Sequence, residues 1–147
     1  MAIAATDAQD RVEQLSLLTE RLTELVAQSA QAFEEGRPHK AAEQLEETTR
    51  LANVYRHESA RVRADPNLVA AAPLAQRSRL IRATEAFDAV LARQGRAIAA
   101  ARTVTEGLVK AIADEVANQR GEAAGYGPRS GQAANKAASA ITLNQRA

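Results

Sequence analysis

Hydrophobic residues recur in the first third of the chain with the spacing of one helix face. Leucine occupies positions 15, 18, 22 and 25, and the same seam continues through Ser29 and Ala32. Steps of three and four residues bring these side chains onto one stripe of a helix. The pattern predicts a helix from about Asp7 to Glu35, with Thr6 or Asp7 as its N-cap.

The residues that follow predict a tight turn and a second helix. Gly36 suits the end of a helix and Pro38 suits the first turn of the next one. A second stripe, made mostly of small residues, then runs from about His39 to Ala64. Because Pro66 disfavours helical geometry at Asp65, the second helix should end there. So short a connection predicts an antiparallel helical hairpin.

A third and longer helix is predicted from about Leu74 to Arg120. Its apolar seam runs from position 80 to position 112 and then drifts to Val116. At about 1.5 Å per residue this helix would be roughly 70 Å long, against roughly 43 Å for the first helix. The stripe is therefore longer than the hairpin can cover, unless the helix bends at Gly95 or Gly107. An apolar stripe without intramolecular cover needs another partner.

The composition changes at Gly121, after which no apolar period remains. We therefore expect an all-α, coiled-coil-like fold: one elongated three-helix bundle over residues 1–120, and a flexible tail over residues 121–147. Two islands stand out in the tail, Gly125–Pro128 and the terminal Ala140–Asn144. Each is either a short docking segment or an incidental run in a disordered tail.

The composition argues against a compact enzyme. Alanine supplies 35 of the 147 residues and the chain has only four aromatic side chains, so little large apolar surface is available for a thick core. With no cysteine, disulfides, zinc ribbons, iron–sulfur clusters and thiol nucleophiles are all excluded. The start of the chain lacks the pattern of a secretion signal, and no window is apolar enough for a membrane span. We expect a soluble cytoplasmic protein without stable membrane insertion.

The net charge of +1 hides an uneven distribution. Residues 1–49 hold ten acidic and four basic side chains, whereas residues 50–82 hold two acidic and seven basic ones. An acidic first helix beside a basic second segment would attract in a hairpin, which is the interpretation we favour. The alternative is a nucleic-acid-binding face. Because Glu58 and Asp65 interrupt the basic run and no recognition motif accompanies it, we expect no nucleic-acid partner.

The sequence contains no pattern typical of a catalytic site. Neither His39 nor His57 has a second histidine at the spacing of a metal site, and the acidic residues around the hairpin turn lack the Glu-x-x-His pairs of a di-metal bundle. No serine lies in a nucleophile elbow, and no glycine-rich phosphate loop precedes a helix. We therefore predict no catalytic residues, no metal and no cofactor, and interpret the chain as a binding protein.

Several segments together resemble the FlgN-type flagellar export chaperones, with most similarity to an alphaproteobacterial branch of them. The resemblance covers most of the chain, although its motifs are of low specificity apart from the tyrosine–glycine island and the terminal segment. The segments that carry it are the leucine-rich first helix, the Glu34–Arg37 turn, the runs Arg50–Ala60, Ala83–Leu91 and Thr103–Val109, the Tyr126–Gly127–Pro128 island with Gly131, and the ending Ala140–Ala147.

The resemblance implies a cytoplasmic chaperone that holds hook-associated (hook–filament junction) proteins before type III export. In that family a tyrosine just past the last helix helps the chaperone dock on the export gate, so Tyr126 and the adjoining Gly127 take that role here as a hypothesis. The tail of this chain is longer and richer in alanine than the usual ending of the family. The role of the terminal segment 140–147 therefore stays open.

The uncovered stripe of the third helix is the predicted client groove, in the mode where a partner helix lies along an apolar face. Its residues are Leu91, Ile98, Leu108 and Ile112. The alternatives for these four are ordinary bundle core or the seam of a homodimer. A homodimer seam would imply a second class of function, namely a self-associating coiled-coil protein with a structural or regulatory role in flagellum biogenesis and no cargo.

Overall fold

A computed structural model describes residues 3–124 of the chain, and every regular element in that range is a helix. The all-α prediction is confirmed. The two predicted docking islands in the tail lie outside the described residues. The helices are α1 (Ala8–Glu34), α2 (Pro38–Ala42), α3 (Leu45–Ala64), α4 (Asn67–Ala70) and α5 (Leu74–Ala124).

The chain divides into two compact units, Met1–Ala101 and Arg102–Ala147. The first unit contains α1 to α4 and the N-terminal part of α5. The described part of the second unit is the C-terminal part of α5, which continues through Gly107 without a break. Gly95 likewise interrupts nothing, so neither glycine ends the helix.

Helix α1 begins where its capping residues predict. The Asp7 side chain accepts a hydrogen bond from the Asp10 backbone N–H at 2.8 Å, and the Asp10 carboxylate accepts one from the Thr6 N–H at 3.0 Å. The Thr6 bond, together with one from Gln14, lowers the pKa of Asp10. Asp7 is therefore the N-cap. The carboxylate of Asp10 lies near the positive end of the helix dipole and holds the backbone of Thr6 through a hydrogen bond.

The other end of α1 is a Schellman motif. The Arg37 N–H donates to the Ala32 carbonyl at 2.8 Å and the Gly36 N–H donates to the Phe33 carbonyl at 3.2 Å. Gly36 has a φ of 70°, the left-handed conformation that this motif needs and that a side chain disfavours. Pro38 then starts α2, as predicted.

The predicted second helix is two helices. Gln44 departs from helical geometry and divides α2 from α3. No residue of this short helix α2 is buried. The predicted connector before Pro73 likewise contains the short helix α4, which starts directly after Pro66.

Helix α1 lies at the centre of the first unit. It runs antiparallel to α3, since its Arg11 and Arg21 contact Glu58 and Glu47, and parallel to α5, since its Glu13 and Glu34 contact Arg79 and Arg93. Besides the predicted leucine seam, a second stripe of α1 is buried. This stripe consists of Val12, Ser16, Thr19, Val26 and Ala30. A helix packed between two others must bury two stripes.

The three long helices meet around Leu22, Val26 and Phe87. Leu51 and Tyr55 of α3 pack against this cluster. The Tyr55 and Phe87 rings lie edge to face, with 5.1 Å between their centroids. Aromatic pairs in this geometry are worth about 0.5–1.5 kcal/mol beyond their burial. Two of the four aromatic side chains of the chain, Tyr55 and Phe87, thus join α3 to α5.

The acidic first helix does pair with the basic segment 50–82, but through Arg79 of α5 and not through its hairpin partner α3. The acidic side chains of α1 pair with α5: the Arg79 guanidinium contacts Glu13 at 3.0 Å and Glu20 at 2.9 Å. Between α1 and α3 the polarity is reversed, because arginines of α1 face glutamates of α3. The summed charges of residues 1–49 and 50–82 do not predict this reversal. A few specific contacts, and not the average charge, determine which side chains of the helices pair.

Candidate functional site

The C-terminal part of α5 presents an exposed apolar face. Val104, Leu108, Val109 and Ile112 are each more than half exposed, and Val116 is half-buried. With about 100° of rotation per residue, these five side chains occupy an arc of about 140°. Charged residues, including Glu106, Lys110 and Asp114, lie on the opposite side. This part of α5 is therefore amphipathic, and within residues 102–123 no side chain is buried.

All four predicted client-binding residues are exposed. In the first unit, Leu91 and Ile98 are 40% and 37% exposed. In the second unit, Leu108 and Ile112 are 60% and 56% exposed. None of the four belongs to the buried core, which on α5 consists of Ala83, Phe87 and Ala97. Their side chains are accessible to a partner, and their role in binding a client stays a prediction.

The predicted gate-docking residues, Tyr126 and Gly127, lie outside the described residues, as does the segment Ala140–Asn144. His39 and His57, which the sequence excluded as metal ligands, are exposed. Within residues 3–124, no group of three histidine, aspartate or glutamate side chains is arranged to hold a metal ion. No described helix is long and apolar enough to cross a membrane.

The sequence did not predict a buried charge cluster around Glu58. The Glu58 side chain is fully buried, and its Oε2 accepts a hydrogen bond from Arg11 Nη1 at 2.8 Å. Its Oε1 accepts from the Ile3 N–H at 3.0 Å and from Arg61 Nη1 at 3.2 Å. Both carboxylate oxygens are thus paired, and the cluster joins the N-terminal segment and α1 to the end of α3.

Two opposing effects set the pKa of Glu58. Burial raises it, because the charged form loses its hydration, while the Ile3 hydrogen bond and the nearby charges of Arg61 and Arg11 lower it. The net result is a pKa below the ordinary glutamate value. Glu58 is therefore ionised at neutral pH and stabilises the folded chain.

A sequence signal for this cluster was present. Leu51, Tyr55, Glu58 and Val62 follow each other at steps of four, three and four residues, so Glu58 occupies a seam position of α3. Arg11 extends the leucine seam of α1 backwards by the same rule. Opposite charges at the seam positions of two antiparallel helices indicate a buried pair, in which Glu58 is more than an interruption of a basic run.

Over residues 3–124, the fold is all-α and the C-terminal part of α5 carries an exposed apolar face. Among curated proteins, the chain is similar to the flagellar basal-body protein FlbY of Caulobacter vibrioides. The two are 61% identical over 149 aligned positions that span 100% of each chain. The chain therefore belongs to the FlbY family of flagellar proteins.

Other comparisons add no further relative. No protein-family model matches the chain. No solved structure matches it either. The predicted closeness to an alphaproteobacterial flagellar branch is confirmed by the FlbY match, while membership of the FlgN-type chaperones stays a prediction.

Proposed function

We propose that the protein takes part in flagellar assembly as a cytoplasmic, non-catalytic chaperone of type III export. It binds hook–filament junction proteins through the exposed apolar side chains of α5 and delivers them to the export gate. The observation that carries this proposal is the exposure of Leu91, Ile98, Leu108 and Ile112 in a chain of a flagellar family.

An amphipathic helix of the client would lie along these side chains with its own apolar face. Complete burial of a leucine or isoleucine side chain is worth about 1.5–3 kcal/mol. Four side chains that are about half exposed would then contribute on the order of 3–6 kcal/mol, before the cost of ordering the partners is subtracted.

Delivery would use Tyr126 and Gly127, the candidates for gate docking. They follow α5 directly in sequence, so client binding and docking would use adjacent parts of the chain. Tyr126→Ala should leave client binding unchanged and impair docking on the gate component. Unimpaired docking of this variant, measured by pull-down with the gate component, would remove the role from Tyr126.

The experiment that tests the function is co-purification from flagellated cells, followed by light scattering of the purified protein with each junction protein. We expect one junction protein to co-purify and to form a complex of defined mass. A protein that forms only a homodimer and ignores every junction protein would contradict the chaperone proposal. That result would favour the self-associating coiled-coil alternative.

A further inference from the structure

The exposed apolar face of the second unit has the heptad pattern of a two-stranded coiled coil. When Ile112 is given position d, Val109 and Val116 take the two neighbouring a positions. Valine at a and isoleucine at d are apolar residues of the size that fills such a seam. Ile112 is 56% exposed and Val109 is 52% exposed, so this seam lacks a partner within the described residues.

We propose that a second copy of this chain covers the seam, with its α5 parallel and in register. In this arrangement Val109, Ile112 and Val116 each face the same residue of the second copy. We call these three residues the pairing seam. Thr105 and Gln119, at the outer d positions, limit the apolar contact to about two heptads.

The charges beside the pairing seam favour a second copy as the occupant. In a parallel coiled coil, the g residue of one helix approaches the e residue of the next heptad on the other helix. Here Glu115 lies at g and Arg120 lies at e, so each copy places a glutamate against an arginine of the other. Within residues 3–124, neither side chain forms an ion pair.

The preceding g and e positions are also complementary, because both are apolar. Leu108 at g would lie against Ala113 at e of the second copy, which extends the apolar contact on both sides of the seam. In the antiparallel arrangement that aligns Val109 with Ile112, Leu108 would instead face the carboxylate of Glu115. The parallel arrangement therefore satisfies both flanking pairs, and the antiparallel one leaves a mismatch.

This pairing does not depend on the chaperone proposal, although Leu108 and Ile112 belong to both surfaces. A bound client and a second copy would exclude each other at these two residues. The experiment uses the full chain alone, so its outcome is independent of any client. Because two heptads give a marginal coiled coil, the dimer should depend on concentration.

The first measurement is sedimentation equilibrium of the full chain over about two orders of magnitude in concentration. We expect the mass to rise from monomer to dimer, and Ile112→Asp to keep the chain monomeric. The matched control is Ile81→Asp, which replaces an isoleucine of α5 that is 59% exposed in the first unit. It should dimerise like the unchanged chain. A chain that stays monomeric, or a dimer that survives Ile112→Asp, overturns the proposal.

A charge exchange tests the flanking pair. Glu115→Arg and Arg120→Glu should each weaken the dimer roughly threefold to tenfold, since each places like charges together in two symmetric positions. The double exchange should restore dimerisation, because it reverses both members of the pair. A double variant that is no stronger than the single ones contradicts this pairing.

A disulfide tests the orientation. The chain has no cysteine, so Val116→Cys introduces a single thiol into the pairing seam. In the parallel dimer the two thiols face each other, and mild oxidation should yield a covalent dimer of the full chain. In an antiparallel dimer the same position faces a different residue. A dimer that this variant cannot cross-link would overturn the parallel arrangement.

Discussion

Arg11 Nη1 lies 2.8 Å from Oε2 of Glu58, and the Glu58 side chain is inaccessible to solvent. The two residues come from the first turn of α1 and the C-terminal half of α3, so their contact closes the open end of the antiparallel hairpin. In α3, Glu58 is also the only buried residue of the helix. A buried charged pair thus helps to hold the hairpin together at this end.

Removal of one partner of this pair should be strongly destabilising. Arg11→Leu leaves a buried carboxylate with less compensation, and Glu58→Leu leaves the largely buried Arg11 without its partner. We expect each to lower the free energy of unfolding by about 3–5 kcal/mol. Urea denaturation followed by circular dichroism measures the loss. Glu46→Leu, at an exposed position of α3, is the control and should change stability little.

The double variant separates a coupled pair from two independent residues. Because no uncompensated charge remains at this contact, Arg11→Leu with Glu58→Leu should cost clearly less than the sum of the single losses. If the loss of the double variant equals the sum of the two single losses, Arg11 and Glu58 act independently, which would contradict their contact.

The free energy of unfolding should decrease as the pH falls, and Glu58 should account for part of this decrease. Against the opposing effect of burial, the Ile3 hydrogen bond and the charges of Arg61 and Arg11 hold the pKa of this side chain below the ordinary glutamate value of 4.5. A carboxyl group whose pKa is lower in the folded state binds its proton more readily when unfolded, so its contribution is present above about pH 4.5 and is lost as the pH falls through the folded pKa. Urea midpoints measured from pH 7 to pH 3 should therefore fall less steeply for Glu58→Gln than for the unchanged chain. Parallel curves would contradict the lowered pKa.

Two glycines should respond oppositely to alanine. A Cβ added at Gly36 or at Gly95 would meet no atom within 4 Å, so only the backbone conformation distinguishes them. Gly36 has a φ of 70°, and Gly36→Ala should cost about 1–2 kcal/mol. Gly95 lies inside α5, and Gly95→Ala should gain up to about 1 kcal/mol.

Thermal unfolding of the two variants checks this contrast. The melting temperature should fall for Gly36→Ala and rise for Gly95→Ala. A fall for both would show that α5 is locally non-helical at Gly95, against the continuous helix described here.

Local signals in the sequence predicted the ends of α1, because Asp7, Gly36 and Pro38 act on the backbone near them. The leucine seam predicted one buried face for the same reason. The second buried stripe of α1 could not be assigned, because the burial of Ser16 and Thr19 depends on how other elements pack against α1. The burial of Glu58 could not be predicted for the same reason, since it depends on a contact with Arg11, 47 residues away in the sequence.

The exposed residues of α5 illustrate what a periodic pattern can and cannot predict. The seam from Leu80 to Ile112 continues without a change in sequence character, so the pattern alone gives no point at which burial stops. The structure places that point on α5 after Ala97, which is the last buried residue of this helix up to residue 123. The prediction that the stripe exceeds its intramolecular cover rested on helix lengths, and the exposure of Leu108 and Ile112 agrees with it.

The proposed function requires that exposed side chains of α5 bind a flagellar junction protein. The most direct measurement is a calorimetric titration of the purified junction protein into the unchanged chain, into Ile98→Asp with Leu108→Asp, and into the control Leu74→Asp, which changes an exposed leucine at the start of α5. We expect binding by the unchanged chain and the control, and no binding by the double variant, whose circular dichroism should stay helical. Binding that survives the double change, or a loss of helicity that accompanies it, would contradict the claim.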